Sequence, residues 1–88
     1  MEHSAVIKKR ASDFLKMILH VKDIKIISAQ EAGKTWEIKA EGYEEHSFIE
    51  SYGLPIKVRN RNIYEIRMDD KLEIHSYEII KAEYPLVE

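Results

Sequence analysis

The spacing of apolar residues changes once along this chain, and that change limits the folds open to it. Over the first twenty residues, Ile7, Ala11, Phe14, Leu15 and Ile18 are separated by 4, 3, 1 and 3 positions. That spacing gathers them on one side of a 3.6-residue helix. Lys8, Lys9, Arg10, Asp13 and Lys16 fall largely outside the stripe, and Ser4 offers a hydroxyl to cap the first turn. From Asp23 the helical period is gone. Trp36, Ile38 and Ala40 alternate with Glu37, Lys39 and Glu41, the pattern of a half-buried antiparallel strand.

Two hairpins follow from the alternation and its breaks. The first joins residues 24–29 to 35–41 through a turn at Gly33. The second joins residues 56–68, where Tyr64, Ile66 and Met68 share one phase, to 72–80 through Asp69-Asp70-Lys71. Within the last strand the apolar set shifts phase to Tyr77 and Ile79, which predicts a bulge near His75-Ser76. The tail after Pro85 is expected to fray. Between the hairpins, Phe48, Ile49 and Tyr52 could face inward from a short helix over 44–52, stopped by Gly53 and Pro55. The predicted fold is a single α+β domain over residues 1–88, with an N-terminal helix over residues 4–20 packed on one face of a four-stranded antiparallel sheet. One helix leaves the second face uncovered, charged but carrying Ile27 and Ile63.

At 88 residues a chain buries about 60% of the surface its unfolded form exposes, enough for one modest core. A 44% hydrophobic content is too high for a disordered tail. The absence of cysteine excludes disulfides, zinc–thiolate sites and cysteine nucleophiles. Apolar runs reach three residues, as at Met17-Ile18-Leu19, where a membrane helix needs about 20. With no signal-like apolar centre at the N-terminus, cytoplasmic residence without membrane insertion is expected.

Catalytic chemistry finds little to build on. The six serines and one threonine include no glycine-flanked nucleophile elbow, and the glycines at 33, 42 and 53 form no phosphate loop. The acid pairs Glu44-Glu45 and Asp69-Asp70 are adjacent in sequence, so their side chains diverge. His3, His20, His46 and His75 lack the spacing of a metal site. No catalytic residue, metal or cofactor is expected.

Charge, by contrast, is segregated. Residues 1–22 and 57–67 each carry +3, while 37–50 and 69–88 each carry −4, within a net charge of −2. A strand beginning near Ile56 would place Lys57, Arg59, Arg61 and Arg67 at even spacing on one face. That ridge suits a phosphate or an acidic protein. It equally suits internal neutralisation by Glu37 and Glu41 of a neighbouring strand, at a fraction of a kcal/mol per pair. The acidic flanks argue against nucleic acid.

The order of several residues resembles the gas vesicle protein GvpO family. Its members follow a helix with a "GW-x-hydrophobic-x-hydrophobic-E-x-x-E" strand and a "YE-hydrophobic-x-hydrophobic-D" strand. Here the first corresponds to Gly33 through Glu44, with Lys34 and Thr35 between Gly33 and Trp36, and with Glu41 and Glu44 as the two acids. The second corresponds to Tyr64-Glu65-Ile66-Arg67-Met68-Asp69, with Tyr77 beyond it. The resemblance implies a non-enzymatic accessory role in gas vesicle formation, in the cytoplasm and in association with vesicles, through binding of shell or other accessory proteins. On that reading Glu41, Glu44, Lys57, Arg59, Arg61, Glu65 and Arg67 form the contact surface, while Gly33, Trp36, Tyr64, Asp69 and Tyr77 hold the fold. Two other readings stand beside it. One is a small regulatory or nucleic-acid-associated module using Lys8, Lys9, Arg10 and the 57–67 ridge, and the other a PepSY-like interaction domain. An uncovered face or an edge strand also leaves a homodimer open.

Overall fold

A computed structural model describes the backbone of residues 2–49, 53 and 55–87 and the side chains of residues 5–45, 53 and 58–83. Helix α1 spans Glu2–Met17. Ser4 therefore lies inside the helix, not at its cap, and the helix stops earlier than its apolar pattern suggests. The physical cause is His20, which adopts the left-handed conformation (φ 57°). That turn lets the Val21 amide donate to the Leu15 carbonyl at 2.9 Å. A capping conformation carried by histidine ends the helix with no glycine to signal it.

Four strands follow: β1 (Lys22–Ala32), β2 (Thr35–Ile49), β3 (Pro55–Met68) and β4 (Ile74–Val87). They form one antiparallel sheet in the order β1-β2-β3-β4, so the α+β architecture read from the sequence holds. The first hairpin closes on Gly33 and Lys34, with Gly33 at φ 67°. A positive angle at the first loop residue is the turn whose twist matches the flanking strands.

The strands outrun their sequence-based limits. Residues 44–49 continue β2 where a short helix was expected, and residues 50–52 of that expectation lie outside the described residues. The cause is non-local. β2 and β3 pair without a register shift from Trp36↔Met68 to Ile49↔Pro55, and a continuous ladder outweighs the weak helical spacing of Phe48, Ile49 and Tyr52. The backbone after Pro85 also stays in β4, with Val58 opposite Val87, so the expected fraying is not observed.

The edge strands are built differently. β1 carries register shifts at Lys22/Lys25 and Ile26/Ser28. β4 is irregular at three places against β3, including the step from Arg67↔Ser76 to Met68↔Ile74. That step leaves His75 as the extra residue, where the phase change predicted a bulge. Bulges twist an edge away from further pairing and so discourage sheet extension by another chain.

On the face carrying α1, Ile38 and Ala40 of β2 and Tyr64, Ile66 and Met68 of β3 are fully buried beneath Ile7, Ala11, Leu15 and Val21. An isolated helix of this length is marginal, and each buried Ile or Leu contributes about 1.5–3 kcal/mol toward holding it. Trp36 is half-buried at the edge of this cluster. Tyr64 sits opposite Ala40 and Met68 opposite Trp36, so Tyr64 is not the neighbour of Trp36 across the ladder. Gly42 admits the chain after the helix: a Cβ there would stand 2.1 Å from Val21 Cγ1.

Coverage is partial in both directions. The molecule is 53 Å long, whereas a helix of this length reaches about 24 Å. Four strands at about 4.8 Å spacing are nearly twice as wide as one helix. α1 packs chiefly on β1 and β2; on its own face the inward side chains of β3 are buried, while Tyr77 and Ile79 of β4 stay 46% exposed.

Candidate binding groove beside the helix

The alternation of β3 sends Arg59, Arg61, Glu65 and Arg67 to the face away from the helix, together with Glu37, Lys39, Glu41 and Glu45 of β2. These charges neutralise one another. Arg61 Nε donates to Glu41 Oε2 at 2.7 Å, and its Nη1 donates to Glu83 Oε1 at 2.8 Å. The hydrogen bond to Glu41 raises the Arg61 pKa further above its ordinary value. Arg59 Nη2 donates to Asp23 Oδ2 at 2.8 Å, and the guanidinium lies 4.3 Å from the centroid of the Tyr43 ring. Arg67 pairs with Glu65 at 3.2 Å and Glu37 at 3.9 Å. Basic residues of β3 and acids drawn from all four strands thus form a lattice of pairs, each contributing little to stability. The Lys57 side chain lies outside the described residues.

Glu44 departs from the rest of the expected contact set. Two residues on from Gly42 in an unbroken ladder, it points to the helix-bearing face, where β2 and β3 project past the end of α1. There Tyr64 Oη donates to Glu44 Oε1 at 2.8 Å, and Asn62 Nδ2 donates to Tyr64 Oη at 3.0 Å. Asn62 is the buried polar residue of the described core, 3% exposed. Burial, together with the Glu44 carboxylate that its hydroxyl proton serves, pushes the Tyr64 pKa up to about 12. Asn60 lies opposite Glu44, and its buried Oδ1 has no hydrogen-bond partner among the described residues.

Two apolar hollows open where α1 meets β4. One wall is α1 and the other is β4. Phe14 meets Tyr77 with ring centroids 5.6 Å apart and planes tilted by 60°. Arg10 Nε donates to the Leu72 carbonyl at 3.0 Å and bridges the walls near the turn. Next to this bridge a hollow of about 510 Å³ is lined by Arg10, Asp13, Phe14, Met17, Ile18 and Ile74. A cleft of about 200 Å³ opens at the helix end between Leu19, His20, Glu44, Tyr64, Tyr77 and Ile79. Met17 is 70% exposed and Ile18 63%; Tyr77 and Ile79 are both 46% exposed. Apolar residues this open, clustered around two neighbouring hollows, mark a contact surface more than a chance exposure.

Asp69 binds the β3–β4 turn: its Oδ1 accepts from the Lys71 and Glu73 amides at 2.8 and 2.9 Å, and its Oδ2 is 2.8 Å from His75 Nε2. The Glu73 amide first, then His75, lowers the Asp69 pKa. Sequence reasoning did not single out Met17, Ile18, Ile79, His20 or Asn62 for this site. One signal was present: Met17-Ile18-Leu19 is too broad an apolar run for one helical face to bury. Among the described residues no group of three or more His, Asp or Glu side chains could hold a metal ion, and no helix is long and apolar enough to cross a membrane.

No family model matches the chain, and neither a curated protein nor a solved structure does. The resemblance to gas vesicle GvpO proteins is one of residue order alone, in the segments quoted above.

Proposed function

We propose that this chain is a non-enzymatic protein-binding module, acting as an accessory protein in gas vesicle formation by engaging shell or other accessory proteins. The observation that carries the binding role is the set of exposed apolar residues Met17, Ile18, Tyr77 and Ile79 around the two hollows between α1 and β4. The resemblance in the strands of Trp36 and Tyr64 supplies the class of partner. Cytoplasmic residence follows from that class. The ion-paired state of Arg59, Arg61 and Arg67 offers a phosphate backbone less attraction than free cations would, which favours a protein partner over nucleic acid.

The test is affinity capture from the native cell extract after nuclease treatment, using wild type and a Met17→Asp/Ile79→Asp variant. Both positions are exposed, so the variant should keep its melting temperature. Wild type should enrich gas vesicle proteins, and the variant should lose them. Enrichment of other proteins, lost in the variant, would refute the vesicle assignment and leave the two hollows. Equal capture by both chains would remove the hollows from the binding surface.

A further inference from the structure

The other flank of α1 carries a separate hollow of about 610 Å³, where the helix ends against the first residues of β1. Ser12, Lys16, His20, Lys22 and Asp23 supply its polar lining. Ser12 and Phe14 are two positions apart, hence about 200° apart around the helix, so this hollow faces away from those beside β4. We propose that it binds a phosphate-bearing small ligand, either free phosphate or a phosphorylated metabolite, through Ser12, Lys16 and His20. The site is independent of the protein-binding surface described above.

The charged groups of the hollow differ in what they have left to offer. Asp23 Oδ2 accepts from Arg59 Nη2 at 2.8 Å, and Lys22 Nζ donates to Glu45 Oε1 at 2.7 Å. The side chains of Ser12, Lys16 and His20 have no hydrogen-bond or ion-pair partner among the described residues. The acid is thus neutralised while three donors stay unengaged, and a hydroxyl, an ammonium and an imidazole can each donate to an oxyanion. Their placement follows from the chain. Ser12 and Lys16 are one turn apart on α1 and share a ridge, and the left-handed turn at His20 (φ 57°) brings the chain back along the hollow into β1. A helix C-terminus ordinarily repels an anion. Here the Phe14 and Leu15 carbonyls accept from the Ile18 and Val21 amides at 2.9 Å, and Lys16 sets a positive charge in the last turn. A phosphate monoester offers up to two charges and three acceptor oxygens, enough for all three donors at once, where a single carboxylate is not. The volume falls in the range of small-ligand sites, about 300–1,000 Å³.

The test is a titration of the full-length, isotope-labelled chain, followed by backbone amide NMR shifts. The probes are sodium phosphate, ribose 5-phosphate, and sodium chloride at matched ionic strength. Both phosphate probes should move the amides of Ser12, Lys16, His20 and Lys22 together and saturably, and chloride should not. Tighter binding of ribose 5-phosphate would support the site with a phosphorylated metabolite as its ligand; equal binding would support it with the free ion. Lys16→Gln should weaken binding at least about fivefold, the effect of one unit charge at contact distance in water. His20→Gly removes the ring yet suits the left-handed position, so it should weaken binding while the chain stays folded. No saturable shift with either phosphate probe, an equal response to chloride, or unchanged affinity in Lys16→Gln/His20→Gly would overturn the site.

Discussion

Gly42→Ala tests the packing that joins the helix to the sheet. The added methyl would sit 2.1 Å from Val21 Cγ1 and 3.5 Å from Tyr64 Cε1. The second distance is an ordinary contact; the first is far inside one. Val21 is 2% exposed, and its amide is held by the Leu15 carbonyl at 2.9 Å, so it cannot simply withdraw. It must rotate into a poorer position or carry the chain after the helix with it. Overpacking of this kind costs about 1–3 kcal/mol. Replacing a strand glycine with alanine returns about 0.5–1 kcal/mol by restricting the unfolded chain. The difference is about 1–2 kcal/mol of net destabilisation, or a melting temperature lower by about 5–15 °C for a domain this small. Urea unfolding of the wild type, both single variants and Gly42→Ala/Val21→Ala would measure it. Val21→Ala removes the offending Cγ1, so the double variant should be more stable than the sum of the singles predicts, by about 1–2 kcal/mol. A neutral or stabilising Gly42→Ala, or strict additivity, would refute the reasoning.

Two pH effects follow from the polar groups. The Tyr64 pKa is raised from 10.0 to about 12 in the folded chain, so its contribution is complete below pH 10 and is lost as pH rises through the folded value. The gap corresponds to at most ~2.7 kcal/mol, and the water-open cleft beside the hydroxyl reduces this to about 1–2 kcal/mol. Tyr64→Phe should flatten the alkaline limb of the stability curve; an unchanged limb would show that another group controls it. Asp69 has the opposite sign. Its lowered pKa gives stability that is present above the ordinary carboxylate range and lost as pH falls through the folded value. Asp69→Ala should therefore be less stable than wild type at neutral pH and show a shallower acid limb in thermal melts. Asp69→Asn should recover part of the neutral-pH stability, because its amide oxygen can still accept from Lys71 and Glu73. Equal stability of all three chains at pH 7 would discard the role of Asp69 in the turn.

Several elements were legible in the sequence because their causes are local. The 3.6 spacing of Ile7, Ala11 and Leu15 marks the buried side of α1, and the alternation of Trp36, Ile38 and Ala40 marks a strand and its inner face. Gly33 supplies a turn, and the phase change at Tyr77 locates the His75 bulge. The charged ridge was legible as a pattern of Arg59, Arg61 and Arg67, with internal neutralisation as one of its two readings. Which acid each arginine meets is a matter of register: Glu83 lies 22 residues from Arg61, and no local signal connects them.

Tertiary structure alone decided the rest. Residues 44–49 are a strand because β3 is available to pair with them, whatever their own spacing suggests. The helix ends where His20 can turn and let Val21 pack on Gly42, a contact between segments separated by β1. Glu44 leaves the charged face because an unbroken ladder carries it, with Gly42, to the side where Tyr64 can donate to it. The hollows between α1 and β4 exist because one helix is narrower than four strands. A sequence lists apolar residues, but burial depends on what lies across from each. Met17, Ile18 and Ile79 are as apolar as Leu15 and Ile38; only the fold determines which of them meet a neighbour and which are left open for a partner.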